Sequence, residues 1–177
     1  MRYFKLGKIK IDHKTPPVII AEIGINHNGK LNEAIKIANH AIKAGADIIK
    51  HQTHVVKDEM ASVAKKVIPG NSNKSIYEII EKCSLNESDE YKLMQYVKNK
   101  KKIFISTPFS RAAVDRLEKF NVPGFKIGSG ECNNYPLVDY IASKRKPIIL
   151  STGMNDFKSI DESIKIFKKY KINFALM

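Results

Sequence analysis

Six short apolar runs rich in β-branched residues recur along the chain: Val18 to Ile23, Ala46 to Thr53, Lys102 to Thr107, Gly124 to Gly128, Pro147 to Thr152 and Asn173 to Met177. Between them the apolar pattern turns helical. From Leu31 onward, Leu31, Ala34, Ile35, Ala38, Ala41 and Ile42 keep a helical period, Glu33, Lys36, Asn39, His40 and Lys43 take the other face, and Gly45 closes the segment. Ser159 with Glu162 reads as a capping box, ahead of a stripe of Ile160, Ile164 and Phe167 and a last turn holding Lys168 and Lys169. Helices are expected likewise after Asn86 and over Arg111 to Phe120. Doubly buried strands alternating with amphipathic helices specify βα units and a parallel sheet.

The strand starts lie 28, 56, 22, 23 and 26 residues apart. Four intervals hold one minimal βα unit each. The second is twice as long and marks Val55 to Leu85 as an insertion, with Pro69, Gly70 and Asn71 inside it and order resuming at Ser75 to Glu81. Long insertions of this kind are usually functional or disordered. The chain has 177 residues, fewer than the ~250 of a complete eight-stranded barrel. Its last run, INFALM, stops in apolar sequence without a polar cap. The expectation is a (β/α)8 TIM barrel truncated after five βα units and the start of strand six, a single domain over residues 1–177 with no linker.

Composition narrows the function classes. With 43% hydrophobic and 28% charged residues, disorder and disulfide-dense scaffolds are excluded. The formal charge is +13, but arginine contributes only Arg2, Arg111, Arg116 and Arg145 to the 31 cations. Arginine forks are the favoured tool for phosphate and base-edge recognition, so a nucleic-acid domain is the weaker reading; it would require steeply salt-dependent binding. Lysine clusters such as Lys100 to Lys102 read as solvated helix ends, which leaves room for an anionic small molecule. Cys83 and Cys132 have no metal-ligand spacing, and there is neither a signal peptide nor a membrane-length apolar run. A cytoplasmic protein is expected, without membrane contact.

Active sites of parallel α/β folds lie at the C-terminal ends of the strands. Those ends deliver Glu22; Lys50 and Gln52; Thr107; Lys126, Ser129 and Glu131; and Ser151 with Thr152. Lys50 ends DIIK and Lys126 interrupts GFKIG, so each is a cation inside a doubly buried strand, which costs several kcal/mol unless compensated. Glu22 can pair with one of them. The remaining charge, beside the hydroxyls of Thr107, Ser129 and Ser151, makes a phosphate or carboxylate cradle; the same residues also read as ion pairs across the barrel mouth with no ligand. Other signals are weaker. Gly128-Ser129-Gly130 is a common turn as well as a phosphate loop, and Asn26 to Gly29 reads as the turn into the Leu31 helix. His51 and His54 fall short of a metal site, His40 reads as surface, and nothing marks Cys132 as an activated thiolate.

The segments AEIGINHNG (21–29), AGADIIKHQTHVVKDEM (44–60), IPGN (68–71), STPFSRAA (106–113), KIGSGECNNYPL (126–137) and ILSTGM (149–154) closely resemble bacterial sialic acid synthases, also called N-acetylneuraminate synthases. The resemblance runs from about Phe4 to the last residue and covers the first half of the family's chain. It implies a βα barrel followed by a small antifreeze-like domain. It also implies condensation of phosphoenolpyruvate with an N-acylated hexosamine such as N-acetylmannosamine, releasing phosphate with a divalent metal, Mn or Mg, in what is expected to be a homodimer at full length. By motif, Lys50, Thr107, Lys126, Ser129 and Ser151 correspond to phosphoenolpyruvate contacts. Glu22 corresponds to the acidic group at the reacting centre, and Gln52, Asn71 and Glu131 to sugar contacts. The family's metal-binding histidines and an arginine from its second domain are expected beyond Met177, so this chain is expected to hold no metal ligand and to be inactive or unstable alone. Lys57 stands where similar sequences usually place an acid. KHQTH with GECNNYP favours the N-acetylneuraminate type over synthases of legionaminic or pseudaminic acid.

Overall fold

A computed structural model describes residues 3–177; Met1 and Arg2 of the basic N-terminal segment lie outside it. Strands β1 (Phe4–Leu6) and β2 (Ile9–Ile11) form an antiparallel hairpin around Gly7. Six parallel strands follow: β3 (Ile20–Gly24), β4 (Ile48–Thr53), β5 (Ile103–Pro108), β6 (Phe125–Ile127), β7 (Ile148–Leu150) and β8 (Phe174–Leu176). They lie side by side in chain order, with β3 and β8 outermost. Doubly wound sheets reverse their strand order at a switch point. This sheet has no reversal, so it is wound in one direction, as a βα barrel is.

Helices α1 (Leu31–Lys43), α2 (Val56–Glu59), α3 (Ile76–Cys83), α4 (Glu87–Asn99), α5 (Arg111–Lys119), α6 (Tyr135–Ser143) and α7 (Phe157–Lys169) complete the fold. One core joins a sheet face to the helices through Ile49, Phe104, Phe125, Ile127 and Leu150 with Ala38, Leu93, Val114, Leu117, Val138 and Phe167. A second core lies on the opposite face: Ile48, Ile103, Ile105 and Ile149 meet Leu6 of the hairpin. The hairpin therefore plugs the N-terminal ends of the strands and leaves their C-terminal ends open. The fit is close: a Cβ on Gly124 would lie 2.5 Å from Leu6 Cδ1 and 2.6 Å from the Pro147 carbonyl oxygen. At fully buried contacts even one added carbon is felt.

Every expected run holds a strand whose ends fall within two residues of those expected; β3 and β5 each continue one residue further, to Gly24 and Pro108. The insertion is ordered, made of α2, a 3₁₀ turn over Ser62–Lys66, a loop, and α3. One expectation is corrected. Helix α7 starts at Phe157, and its cap is Asp156, whose carboxylate accepts the Ser159 amide at 2.8 Å, so Ser159 sits inside the first turn and caps nothing. A capping box does occur on α3, where Ser75 Oγ accepts the Glu78 amide and the Glu78 carboxylate accepts the Ser75 amide.

Candidate active site

Successive side chains of a strand alternate between its faces. In β4 this sends Ile49, His51 and Thr53 toward the helices and Ile48, Lys50 and Gln52 to the opposite face, above the apolar plug. The parallel register aligns Glu22 with Lys50, Lys50 with Ile105, and Gln52 with Thr107. Thus Glu22, Lys50, Gln52, Thr107, Lys126 and Ser151 share one face at the C-terminal ends of the strands. A groove of about 830 Å³ lined by Tyr3, Phe4, Ile11 and Phe174 lies at the other end, away from these charges.

Lys50 and Lys126 are buried, with exposures of 7% and 6%. Lys50 forms a close ion pair with Glu22 and donates to Thr107 Oγ1 at 3.4 Å. Lys126 donates to the Ile127 carbonyl at 2.7 Å and to Ser151 Oγ at 2.5 Å, both neutral oxygens. Among the described residues no carboxylate makes an ion pair with it. Burial first, and the Lys50 charge second, lower its pKa to about 8, against a partial opposing pull from Glu22. This corner of the site therefore carries an under-compensated positive charge.

Gly24 lies between the carboxylate and the amide of the site. Its φ of +50° accompanies a break in the β3–β4 register, and a Cβ there would come within 3.8 Å of Glu22 Oε1 and 3.9 Å of the Gln52 side chain. Gln52 Oε1 lies 3.4 Å from His54 Nε2, while His54 Nδ1 lies 2.8 Å from Glu59 Oε2 and its ring stacks on Phe109. Ser129 begins a 3₁₀ turn after β6, and the Asn155 amide donates to its carbonyl at 2.8 Å, tying the β6 and β7 loops together. Glu131 closes that turn and accepts from Asn134 Nδ2 at 2.7 Å. Asn71 is exposed in the insertion loop, and no hydrogen bond or ion pair joins its side chain to the cluster. Burial raises the Cys132 pKa, in keeping with an inert thiol.

Behind the sheet lies a polar network that the sequence reading missed. His27 Nδ1 accepts the Gly29 amide at 3.2 Å, which places the His27 proton on Nε2. That proton faces His51 Nε2 at 3.1 Å, so the His51 proton sits on Nδ1, 3.0 Å from Glu90 Oε1. Thr53 also donates to Glu90 Oε1, and Arg116 holds Oε2 at 3.1 Å. Burial alone would favour a neutral Glu90, but the hydrogen bonds from His51, Thr53 and Arg116 outweigh it and lower its pKa. The turn expected over Asn26 to Gly29 is present, with φ of 50° at Asn28 and 72° at Gly29, and His27 is fully buried within it.

Burial and the neighbouring His51 lower the His27 pKa from 6.5 to about 4. Between these values the unfolded chain binds more protons than the folded one. The stability involved is therefore present above pH 6.5 and lost as pH falls toward 4, to an extent of about 3 kcal/mol. Urea unfolding at both pH values should register this loss, and His27→Gln, which keeps a donor toward His51, should remove about that much of the pH dependence.

Among the described residues no group of three or more His, Cys, Asp or Glu side chains is placed to hold a metal ion, and Glu22 is committed to Lys50. The described residues do not form a metal centre by themselves. No helix among the described residues is long and apolar enough to cross a membrane.

Known proteins are similar to this chain over most of its length. An uncharacterized protein of Methanocaldococcus jannaschii is 38% identical over 95% of this chain and 47% of its own length. The N,N'-diacetyllegionaminic acid synthase of Campylobacter jejuni is 37% identical over 86% of this chain and 47% of its own. The crystal structure of an N-acetylneuraminic acid synthetase from Leptospira borgpetersenii, in complex with citrate, superposes with a TM-score of 0.86 at 29% identity, covering 99% of this chain and 58% of that one. This chain thus spans about half the length of the curated relatives it matches. The NeuB family model matches residues 14–177, a stretch that holds all six parallel strands and the buried lysines, and the chain belongs to the NeuB family.

Proposed function

We propose that this chain forms the phosphoenolpyruvate-binding part of a cytoplasmic synthase that joins phosphoenolpyruvate to an N-acylated hexosamine and releases phosphate. Lys126 carries the reading. A buried ammonium whose hydrogen-bond partners are neutral oxygens, set beside a second buried lysine at the strand ends, is compensated best by an anionic ligand. In this reading Lys50 and Lys126 hold the carboxylate and phosphate with the hydroxyls of Thr107, Ser129 and Ser151. Gln52, Asn71 and Glu131 contact the sugar. Holding both substrates together turns a bimolecular encounter into an oriented one.

The enol carbon bonds to the aldehyde carbon of the open-chain sugar. Water adds at the cationic carbon left behind, phosphate departs with its bridging oxygen to leave a 2-keto acid, and the two protons of the water end on the former aldehyde oxygen, now a hydroxyl, and on the phosphate. Glu22 stabilises the cation or takes the proton of the water. A divalent metal, Mn or Mg, would need ligands from outside the described residues, and the assembled enzyme is read as a homodimer.

The motifs KHQTH and GECNNYP support N-acetylmannosamine as the sugar. A diacetamido sugar is the second reading, favoured by the 37% identity to the legionaminic acid synthase against 30% to the mouse N-acetylneuraminate-9-phosphate synthase. The test is phosphate release by the intact protein carrying this chain, supplied with phosphoenolpyruvate and a panel of aldoses. Release is expected only when both substrates are present. Exclusive turnover of a diacetamido sugar would replace N-acetylmannosamine in the assignment, and no release with any N-acylated hexosamine would overturn the proposal.

A further inference from the structure

We propose that Glu90, on helix α4 behind the sheet, is a positioning residue for the anion site, gripping β4 from its helix-facing side so that Lys50 and Gln52 are aimed correctly. The inference rests on the reading of Lys50 as a phosphoenolpyruvate contact.

From Lys50 to Thr53, β4 carries no apolar side chain on either face. Packing there is limited to the His51 ring, which lies against Phe104 and His27. The backbone ladder of β4 also thins: the register with β3 ends at Gly24 and His51, whereas β5 continues to pair with Gln52 and Thr53. The last two residues are thus held from one side only. Glu90 supplies what is missing, because a single oxygen, Oε1, accepts both His51 Nδ1 and Thr53 Oγ1, the two helix-facing side chains that flank Gln52. The carboxylate is itself fixed by Arg116 of α5 through Oε2, and Thr53 is tied to Ser106 of β5 at 2.7 Å.

His27 links the same cluster to the turn after β3, the strand that carries Glu22. All five side chains around Glu90 except Arg116 are fully or almost fully buried. Buried ionic networks of this sort add little stability compared with apolar filling, and their effect lies in direction. None of these side chains lies on the face that carries Lys50, so Glu90 acts on the ligand through the strands it holds, β4 before the others.

The experiment is a double-mutant cycle read by calorimetric titration of phosphoenolpyruvate into the intact protein, with thermal unfolding run on each variant. Glu90→Gln keeps the size of the side chain but turns an amide toward Arg116. It is expected to weaken binding about tenfold in the wild type and about tenfold again in Lys126→Met, since β6 is not held by Glu90. In Lys50→Met it should cost less than about twofold, because residues that act through one another are not additive. Thr53→Val, which removes one of the two hydrogen bonds to Oε1, should repeat the pattern at about threefold and serves if Glu90→Gln does not fold. A general loosening of the fold would weaken all three backgrounds equally, and that result overturns the proposal. If Lys50→Met and Lys126→Met both leave affinity unchanged, the anion site itself is wrong and the positioning role falls with it. Weakened lysine variants without selective coupling overturn the positioning role alone.

Discussion

Lys126→Met is expected to weaken phosphoenolpyruvate binding about a hundredfold and to make the protein more stable. The two effects have one origin. Lys126 is buried beside Lys50, and its hydrogen bonds go to the Ile127 carbonyl and Ser151, neither of which offsets a full charge. Burial, followed by the Lys50 charge, lowers its pKa from 10.5 to about 8. The unfolded chain therefore holds this proton more tightly than the folded one. The sign follows directly: the penalty is fully present below pH 8 and disappears as pH rises through 8 to 10.5. At pH 7 this penalty is about 3 kcal/mol, and because two hydrogen bonds to neutral oxygens are lost with the ammonium, its removal should raise stability by about 2 kcal/mol, measured by urea unfolding. Binding moves the other way, because a charge-assisted contact to an anion contributes about 2 to 3 kcal/mol. Loss of both affinity and stability would mean that Lys126 is a structural residue.

Glu22→Gln should separate binding from turnover. In the structure the Glu22 carboxylate occupies Lys50, the group that the proposed ligand needs. An incoming anion must compete with it. The amide cannot ionise, so phosphoenolpyruvate affinity is expected to rise about threefold, while condensation by the intact protein slows by about a hundredfold or more, within the range attributed to a positioned acid, base or charge stabiliser. Single-turnover rates beside calorimetric affinities measure both. Weaker binding together with an unchanged rate would remove Glu22 from the reacting centre.

How much of this was legible in the sequence depended on whether a signal was local. The strands were readable because parallel strands covered on both faces are apolar throughout, and Lys50 and Lys126 stood out as exceptions within such runs. A partner for Lys50 was inferable too: Glu22 lies near the C-terminal end of the neighbouring strand, at the register position that meets Lys50. The hairpin Phe4–Ile11 was missed because its two strands have three residues each, too few to show a period. The α7 cap was misplaced because a local Ser-Glu spacing occurs by chance as well as by function, and Asp156 lay just upstream.

The network around Glu90 was hidden for a different reason. His27, His51, Glu90 and Arg116 come from a turn, a strand and two helices, and nothing in their spacing announces contact. One signal was available. His51 and Thr53 occupy the helix-facing positions of a buried strand, and two polar side chains there require buried partners.

The proposed site is a buried, titratable cation that binds an anion. Calorimetric titration of phosphoenolpyruvate into the wild type and Lys126→Met, between pH 7 and pH 10, tests it most directly. The expected result is one-to-one binding to the wild type at pH 7 that weakens above pH 8 as Lys126 loses its proton, converging on the weak and nearly pH-independent affinity of the methionine variant. Equal affinities for the two proteins at pH 7, or a wild-type affinity that holds unchanged to pH 10, would contradict it.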